Sequence, residues 1–239
     1  MREVIKVENL SKFYGKEQAV DNLNFSVEKG KVFGLLGANG AGKSTSIECI
    51  LGTRKADGGT VQILGKNPWT DRKEIFEKVG VQFQEANYQQ EIRVNELCEE
   101  TAALYKEPEN WELLLSEFGI DKKKKNAVKD LSGGERQRLF IVLALIPKPE
   151  LVFLDELTTG LDAKARRGVW KILERLKAKG LTIILTSHFM DEVEALCDTI
   201  CILRKGKTVF YGTVKEAIQE SPYEKFEDAY LWISGEEEE

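Results

Sequence analysis

The chain has 239 residues, 42% hydrophobic and 31% charged, with 35 Lys and Arg against 40 Asp and Glu and a single histidine. At ~150 residues per domain this is one large domain or a domain with an insertion, long enough for a core without disulfides or metal. The net charge of −5 argues against a sequence-independent grip on nucleic acid, and one imidazole excludes metal centres built from several histidines.

Alternation in Val4, Ile5, Val7 and in Leu23, Phe25, Val27 predicts two half-buried strands of an N-terminal antiparallel layer. Val32 to Leu36 is a continuous apolar run ending at Gly37, which reads as a buried central strand running into a loop. Similar runs recur at Val79 to Phe83, Leu151 to Leu154, Thr182 to Leu185 and Thr199 to Leu203, with helical patterns between several of them. The expectation is an α/β fold with a mainly parallel sheet covered on both faces. Lys205-Gly206 predicts a tight hairpin that turns the last strands antiparallel.

From residue 86 to 147 the strand signal gives way to helices, roughly Val94 to Tyr105, Glu109 to Phe118 and Glu135 to Ile146. The domain reading is therefore a nucleotide-binding core in two pieces, 1–85 and 148–220, an inserted all-helical subdomain, 86–147, and a short tail, 221–239. Lys122 to Lys125 reads as a solvated loop or a partner contact, and Glu236 to Glu239 as a frayed end. The longest apolar run, Leu139 to Ile146, stops at Pro147, short of the ~18–20 residues that span a bilayer. No apolar leader opens the chain, so cytoplasm is the expected compartment. Cys49, Cys98, Cys197 and Cys201 lack metal-site spacing and are expected as packed thiols.

Gly37-Ala38-Asn39-Gly40-Ala41-Gly42-Lys43-Ser44-Thr45 satisfies G-x-x-x-x-G-K-[ST] between a strand and the helix pattern Ser46 to Leu51. The glycines let successive N–H groups converge on one anion at a helix start. Lys43 is expected at the β and γ phosphates and Ser44 at Mg²⁺. Leu151 to Leu154 ends in Asp155 and Glu156. The first carboxylate is suited to Mg²⁺, from a neighbouring strand end of the same sheet, and the second to activating a water as general base. No N-K-x-D segment is present to read guanine, which favours adenine, and Tyr14 is an aromatic available to stack on it.

Leu131-Ser132-Gly133-Gly134-Glu135 opens a long helix and forms a second anion-binding device, although the chain has one phosphate loop. A nucleotide bound by another copy resolves this, with two chains meeting head to tail.

With these motifs in order, the sequence resembles the ATP-binding cassette ATPases, the nucleotide-binding subunits of transporters. The resemblance matches Tyr14 to the family's aromatic loop, Gly37 to Thr45 to its phosphate loop and Gln84 to its glutamine at the junction with the helical insertion. It matches Leu131 to Glu135 to the signature segment, Asp155 and Glu156 to the Mg²⁺ and catalytic carboxylates, Gly160-Leu161-Asp162 to the dimer loop and His188 to the switch histidine. It implies ATP and Mg²⁺ as ligands, with Asn39, Gly40, Gly42 and Thr45 of the loop and Ser132, Gly133 and Gly134 of the signature at the nucleotide. Ser44, Gln84 and Asp155 would hold the metal, and Glu156, His188 and Gln84 would act in hydrolysis. It also implies two partners, a second ATPase subunit and a separate transmembrane permease that places the chain on the cytoplasmic face of the membrane.

Three positions depart from the family pattern: Glu135 where Gln is common, and Leu157 and Ala163 where Pro is common. The stretch from His188 to Asp198 and the short segment after residue 220 resemble the export branch. An importer subunit and a soluble, non-transport cassette ATPase are the alternatives.

Overall fold

In the computed structural model the described residues are 2–82, 88–89 and 91–236. The chain opens with β1 (Glu3–Tyr14), β2 (Glu17–Glu28) and β3 (Val32–Leu36), then α1 (Lys43–Ile50), β4 (Gly58–Ile63), α2 (Arg72–Phe76) and β5 (Val79–Gln82). Three α-helices follow, α3 (Val94–Ala102), α4 (Trp111–Glu117) and α5 (Gly133–Leu145), with two short 3₁₀ turns between the last two. The second half alternates β6 (Leu151–Asp155), α6 (Ala163–Ala178), β7 (Thr182–Thr186), α7 (Met190–Leu196), β8 (Thr199–Arg204) and β9 (Lys207–Gly212). It closes with α8 (Val214–Glu220) and α9 (Phe226–Ser234).

Two sheets result. The antiparallel one has the order β2-β1-β4, with Val7 opposite both Phe25 and Val61. Its third strand, β4, has no counterpart in the sequence reading, because Gly58 and Gly59 obscure the alternation. The six-stranded sheet has the order β5-β6-β7-β3-β8-β9, parallel except for the β8–β9 hairpin. Lys205 and Gly206 turn that hairpin with φ of 48° and 79°, the positive pair that matches strand twist.

Strand parity splits the core. Leu151 and Phe153 of β6 face a cluster shared with the antiparallel layer and α1, whereas Val152 and Leu154 face a cluster shared with α3, α5 and α6. The helical insertion is thus continuous with the main core through Leu139, Val142 and Leu145. Glycine is required where α5 meets the sheet, since a Cβ on Gly80 would lie 2.0 Å from the Ala144 carbonyl oxygen.

A third cluster joins Ile200 and Ile202 to Phe226 and Tyr230 of α9, so residues read as a tail include a core-packing helix. Glu236, read as the start of a frayed end, accepts a hydrogen bond from the Tyr230 hydroxyl at 2.8 Å. No helix among the described residues is long and apolar enough to cross a membrane.

Candidate active site

The loop after β3 is shaped by close backbone approaches. Gly37 has φ 145°, and a Cβ there would lie 2.4 Å from the Leu203 carbonyl oxygen. Gly42 caps α1 at φ 100°, 2.4 Å on the same measure from the Ala19 carbonyl oxygen. The helix starts at Lys43, three residues before the sequence reading has it, because Gly42 supplies the left-handed entry. Lys43 is buried, and its ammonium donates to the carbonyls of Gly37 at 2.7 Å and Ala38 at 3.1 Å. Burial lowers its pKa, opposed by the charges of Glu156 and Asp155.

Asn39, Gly40, Gly42, Lys43, Ser44 and Thr45 line one cavity of about 740 Å³. Tyr14, Glu156 and His188 also line it, from three other parts of the chain. Tyr14 is 42% exposed, with the Arg54 guanidinium 5.2 Å from its ring centre.

Of the two acidic residues Glu156 lines this cavity, and the pair is placed by a route the motif does not specify. β6 is not adjacent to β3; β7 lies between them and pairs Thr186 with Asp155. The Thr186 hydroxyl donates to Asp155 Oδ1 and accepts from the Glu156 N–H at 3.0 Å, so one side chain fixes both acidic residues. Burial pushes the Asp155 carboxyl up, the Thr186 hydroxyl opposes this, and the neighbouring Glu156 charge adds to it. Glu156 sits at φ 49°, a left-handed conformation that costs a non-glycine residue about 1 kcal/mol or more. Two residues beyond β7, His188 Nε2 lies 2.6 Å from Glu156 Oε1. With Glu156 ionised the contact requires the Nε2–H form of the ring, since a carboxylate only accepts.

Thr186 is not singled out by the sequence analysis; the signal that points to it is a polar residue ending the apolar run Thr182 to Leu185. Thr186→Val removes the hydroxyl at nearly constant volume and leaves Asp155 Oδ1 without it. A loss of about 1–3 kcal/mol in unfolding free energy is expected, with Thr186→Ser retaining most of it. Urea unfolding of the two variants checks this, and equal losses would remove the clamp.

The stretch from Glu156 to Asp162 is anchored on both sides. Leu157 is buried in the main core, and Asp162 caps α6 by accepting from the Ala165 N–H at 2.8 Å, with Ala163 as the first helical residue. Thr158 Oγ1 donates to Glu192 Oε2 at 3.1 Å, and Trp170 Nε1 donates to Glu192 Oε1 at 2.8 Å. Glu192 is buried on α7, and burial pushes its carboxyl up. The helix that follows His188 is thereby tied to the loop that follows Glu156.

Ser132, Gly133 and Gly134 stand elsewhere. They line a different cavity, of about 980 Å³, together with Gly160, Leu161 and Asp162. The chain therefore does not bring its signature segment to its own phosphate loop. Ser132 caps α5 in a reciprocal box with Glu135: Ser132 Oγ accepts from the Glu135 N–H at 3.3 Å, and Glu135 Oε2 accepts from the Ser132 N–H at 2.9 Å. Of the basic run, Lys123 pairs with Glu135 at 3.3 Å and Lys124 with Glu112 at 3.2 Å. Gln84 lies outside the described residues. The four cysteines are free, and burial raises their thiol pKa, to about 11 for Cys49 and about 12 for Cys98 and Cys201. No group of three or more metal-ligating His, Cys, Asp or Glu occurs among the described residues.

A parallel sheet with a glycine-rich phosphate loop after one strand and a carboxylate pair after another is the architecture of the P-loop nucleoside triphosphatases. A family model described as "ABC transporter" matches residues 20–159. The Nod factor export ATP-binding protein I of Ralstonia nicotianae is 38% identical over 220 residues, covering 90% of this chain and 68% of that protein. Its namesake from Mesorhizobium japonicum is 41% identical over 217 residues, covering 88% and 64%. The chain thus spans about two thirds of the length of these curated relatives. Among solved structures, the ATP-binding subunit of an ABC transporter superposes with a TM-score of 0.87 at 26% identity, covering 97% of this chain and 99% of that one. An ATP-binding cassette of an ABC transporter in its ADP conformation superposes with a TM-score of 0.83, also at 26% identity, over 97% and 99%. The chain belongs to the ABC transporter family, as an ATP-binding and ATP-hydrolysing subunit.

Proposed function

We propose that this ATPase drives a transmembrane permease on a separate chain, in the export direction, and works as a head-to-tail dimer that sandwiches two nucleotides. The separation of the two anion-binding devices on one chain carries the dimer reading: the phosphate loop and the signature line different cavities, so a nucleotide touching both needs a second copy. The names of the relatives, which are export ATP-binding proteins, support the direction.

In this reading ATP lies in the cavity of Tyr14 and the phosphate loop, with adenine on the Tyr14 ring and the phosphates on the loop N–H groups of Asn39 to Thr45. Lys43 would exchange the carbonyls of Gly37 and Ala38 for phosphate oxygens, which recovers the solvation its charge lacks. Mg²⁺ fits the residues present: Ser44 and Asp155 offer hard oxygen donors, and a cation relieves the buried negative charge at Asp155 beside Glu156. Gln84 would be a further ligand. When bound, the ion supplies charge neutralisation at the phosphate oxygens.

Glu156 would take the proton of the attacking water, and His188, which contacts Glu156 Oε1 in the single chain, would turn its Nε2–H from that carboxylate to the γ-phosphate on closure. Ser132 and Gly134 of the opposing copy would complete the γ-phosphate contacts. The permease would place the dimer on the cytoplasmic face of the membrane, docked through the helical insertion at 86–147.

Affinity capture from detergent-solubilised membranes tests the partner. Recovery with a polytopic membrane protein is expected, and recovery only with soluble proteins would instead favour a non-transport assembly role.

A further inference from the structure

The reciprocal cap on α5 commits the donor that the head-to-tail reading needs. A serine hydroxyl has one proton, and that of Ser132 is given to Glu135 Oε2 at 2.9 Å, the same oxygen that accepts the Ser132 N–H at 2.9 Å. The bond is charge-assisted and therefore stronger than one to a neutral acceptor. The other oxygen, Oε1, is held by the Lys123 ammonium at 3.3 Å, from the basic run that no other part of the site uses. A carboxylate is thus fastened beside Ser132, with one oxygen on the serine and one on a lysine.

We propose that Glu135 competes with the incoming γ-phosphate for Ser132 and that Lys123 is the positioning residue that sets how hard it competes. The proposal rests on the head-to-tail reading. For Ser132 to donate to phosphate, Glu135 must release the hydroxyl proton and move away from a group of its own charge. Lys123 lowers both barriers: it offers the carboxylate an alternative partner already in contact and offsets the repulsion between carboxylate and phosphate. The Lys123 and Glu135 side chains are 40% and 20% exposed, so the lysine's effect is small and the carboxylate's larger. A purely capping role for Glu135 predicts the opposite sign, because a weaker cap would loosen the serine rather than free it for a ligand.

The test is ATP-driven dimerisation in a Glu156→Gln background, followed by light scattering on a sizing column with Mg²⁺ and ATP. Adding Glu135→Gln is expected to lower the ATP concentration for half-maximal dimer by about 5- to 10-fold, an advantage that fades towards 1 M salt as the charges are screened. Adding Lys123→Ala instead should raise that concentration about 2- to 3-fold, and this penalty should vanish when Glu135→Gln is also present. A parent that dimerises while Glu135→Gln leaves the midpoint unchanged or higher overturns the competition alone. A Lys123→Ala penalty that persists without the carboxylate overturns it as well. A parent that stays monomeric at every ATP concentration overturns the head-to-tail reading and the competition with it.

Discussion

Glu156→Gln is expected to bind ATP within about 2-fold of the parent chain while its turnover falls by at least about 100-fold. The amide keeps the length and shape of the side chain, and its oxygen can still accept from His188 Nε2, whose contact with Oε1 is 2.6 Å. What it loses is the ability to take a proton from water, for which general-base catalysis is worth roughly 10²–10⁴ in rate. The groups that would carry nucleotide affinity, Lys43 and the loop N–H donors, belong to other elements and are untouched. A stalled hydrolysis step should also let the ATP-bound dimer accumulate. Single-turnover phosphate release together with a nucleotide titration separates the two effects. Turnover near that of the parent would move the base elsewhere in the site.

His188→Ala is expected to reduce steady-state phosphate release by about 100-fold with nucleotide affinity retained, because in the proposed reading the lost imidazole would orient Glu156 and contact the γ-phosphate. The imidazole side chain is 34% exposed, so its pairing with Glu156 adds little to folding, about 1 kcal/mol or less. The thermal midpoint should therefore stay close to that of the parent, which distinguishes a catalytic loss from a folding loss. An unchanged rate would leave His188 as a surface histidine that happens to touch Glu156.

The motifs were legible because each needs particular residue types at fixed local spacing. Gly37, Gly42 and Lys43 are demanded by backbone approach and by phosphate charge within a few residues, so the phosphate loop is written in nine consecutive positions. The strands β3, β5, β6, β7 and β8 were also visible, since a strand covered on both faces must be apolar throughout. β4 and α9 were not: the first begins with two glycines, and the second needs the groove beside β8 and β9 to bury Phe226 and Tyr230.

The departures from the family pattern gained a meaning only in three dimensions. Leu157 is a core residue, so its apolar side chain anchors the loop after Glu156 in place of a rigid proline. Glu135 is a capping partner that ties up Ser132, a consequence invisible to a comparison of letters.

The amino-acid sequence alone carries the residue types of the candidate site: a glycine-rich loop ending in Lys43 and Ser44, an acidic pair, a single imidazole and a Ser-Gly-Gly helix start. It left open which strand stands beside which, because uniformly apolar strands carry no mark of their neighbours and parallel pairing is decided by long crossovers. Tertiary packing sets β7 between β3 and β6, which delivers the Thr186 hydroxyl to the Asp155 carboxylate and to the Glu156 N–H, and His188 to the Glu156 carboxylate. It also decided that the two anion-binding devices open into separate cavities, since α5 and α6 pack as one core that faces the signature away from the chain's own phosphate loop.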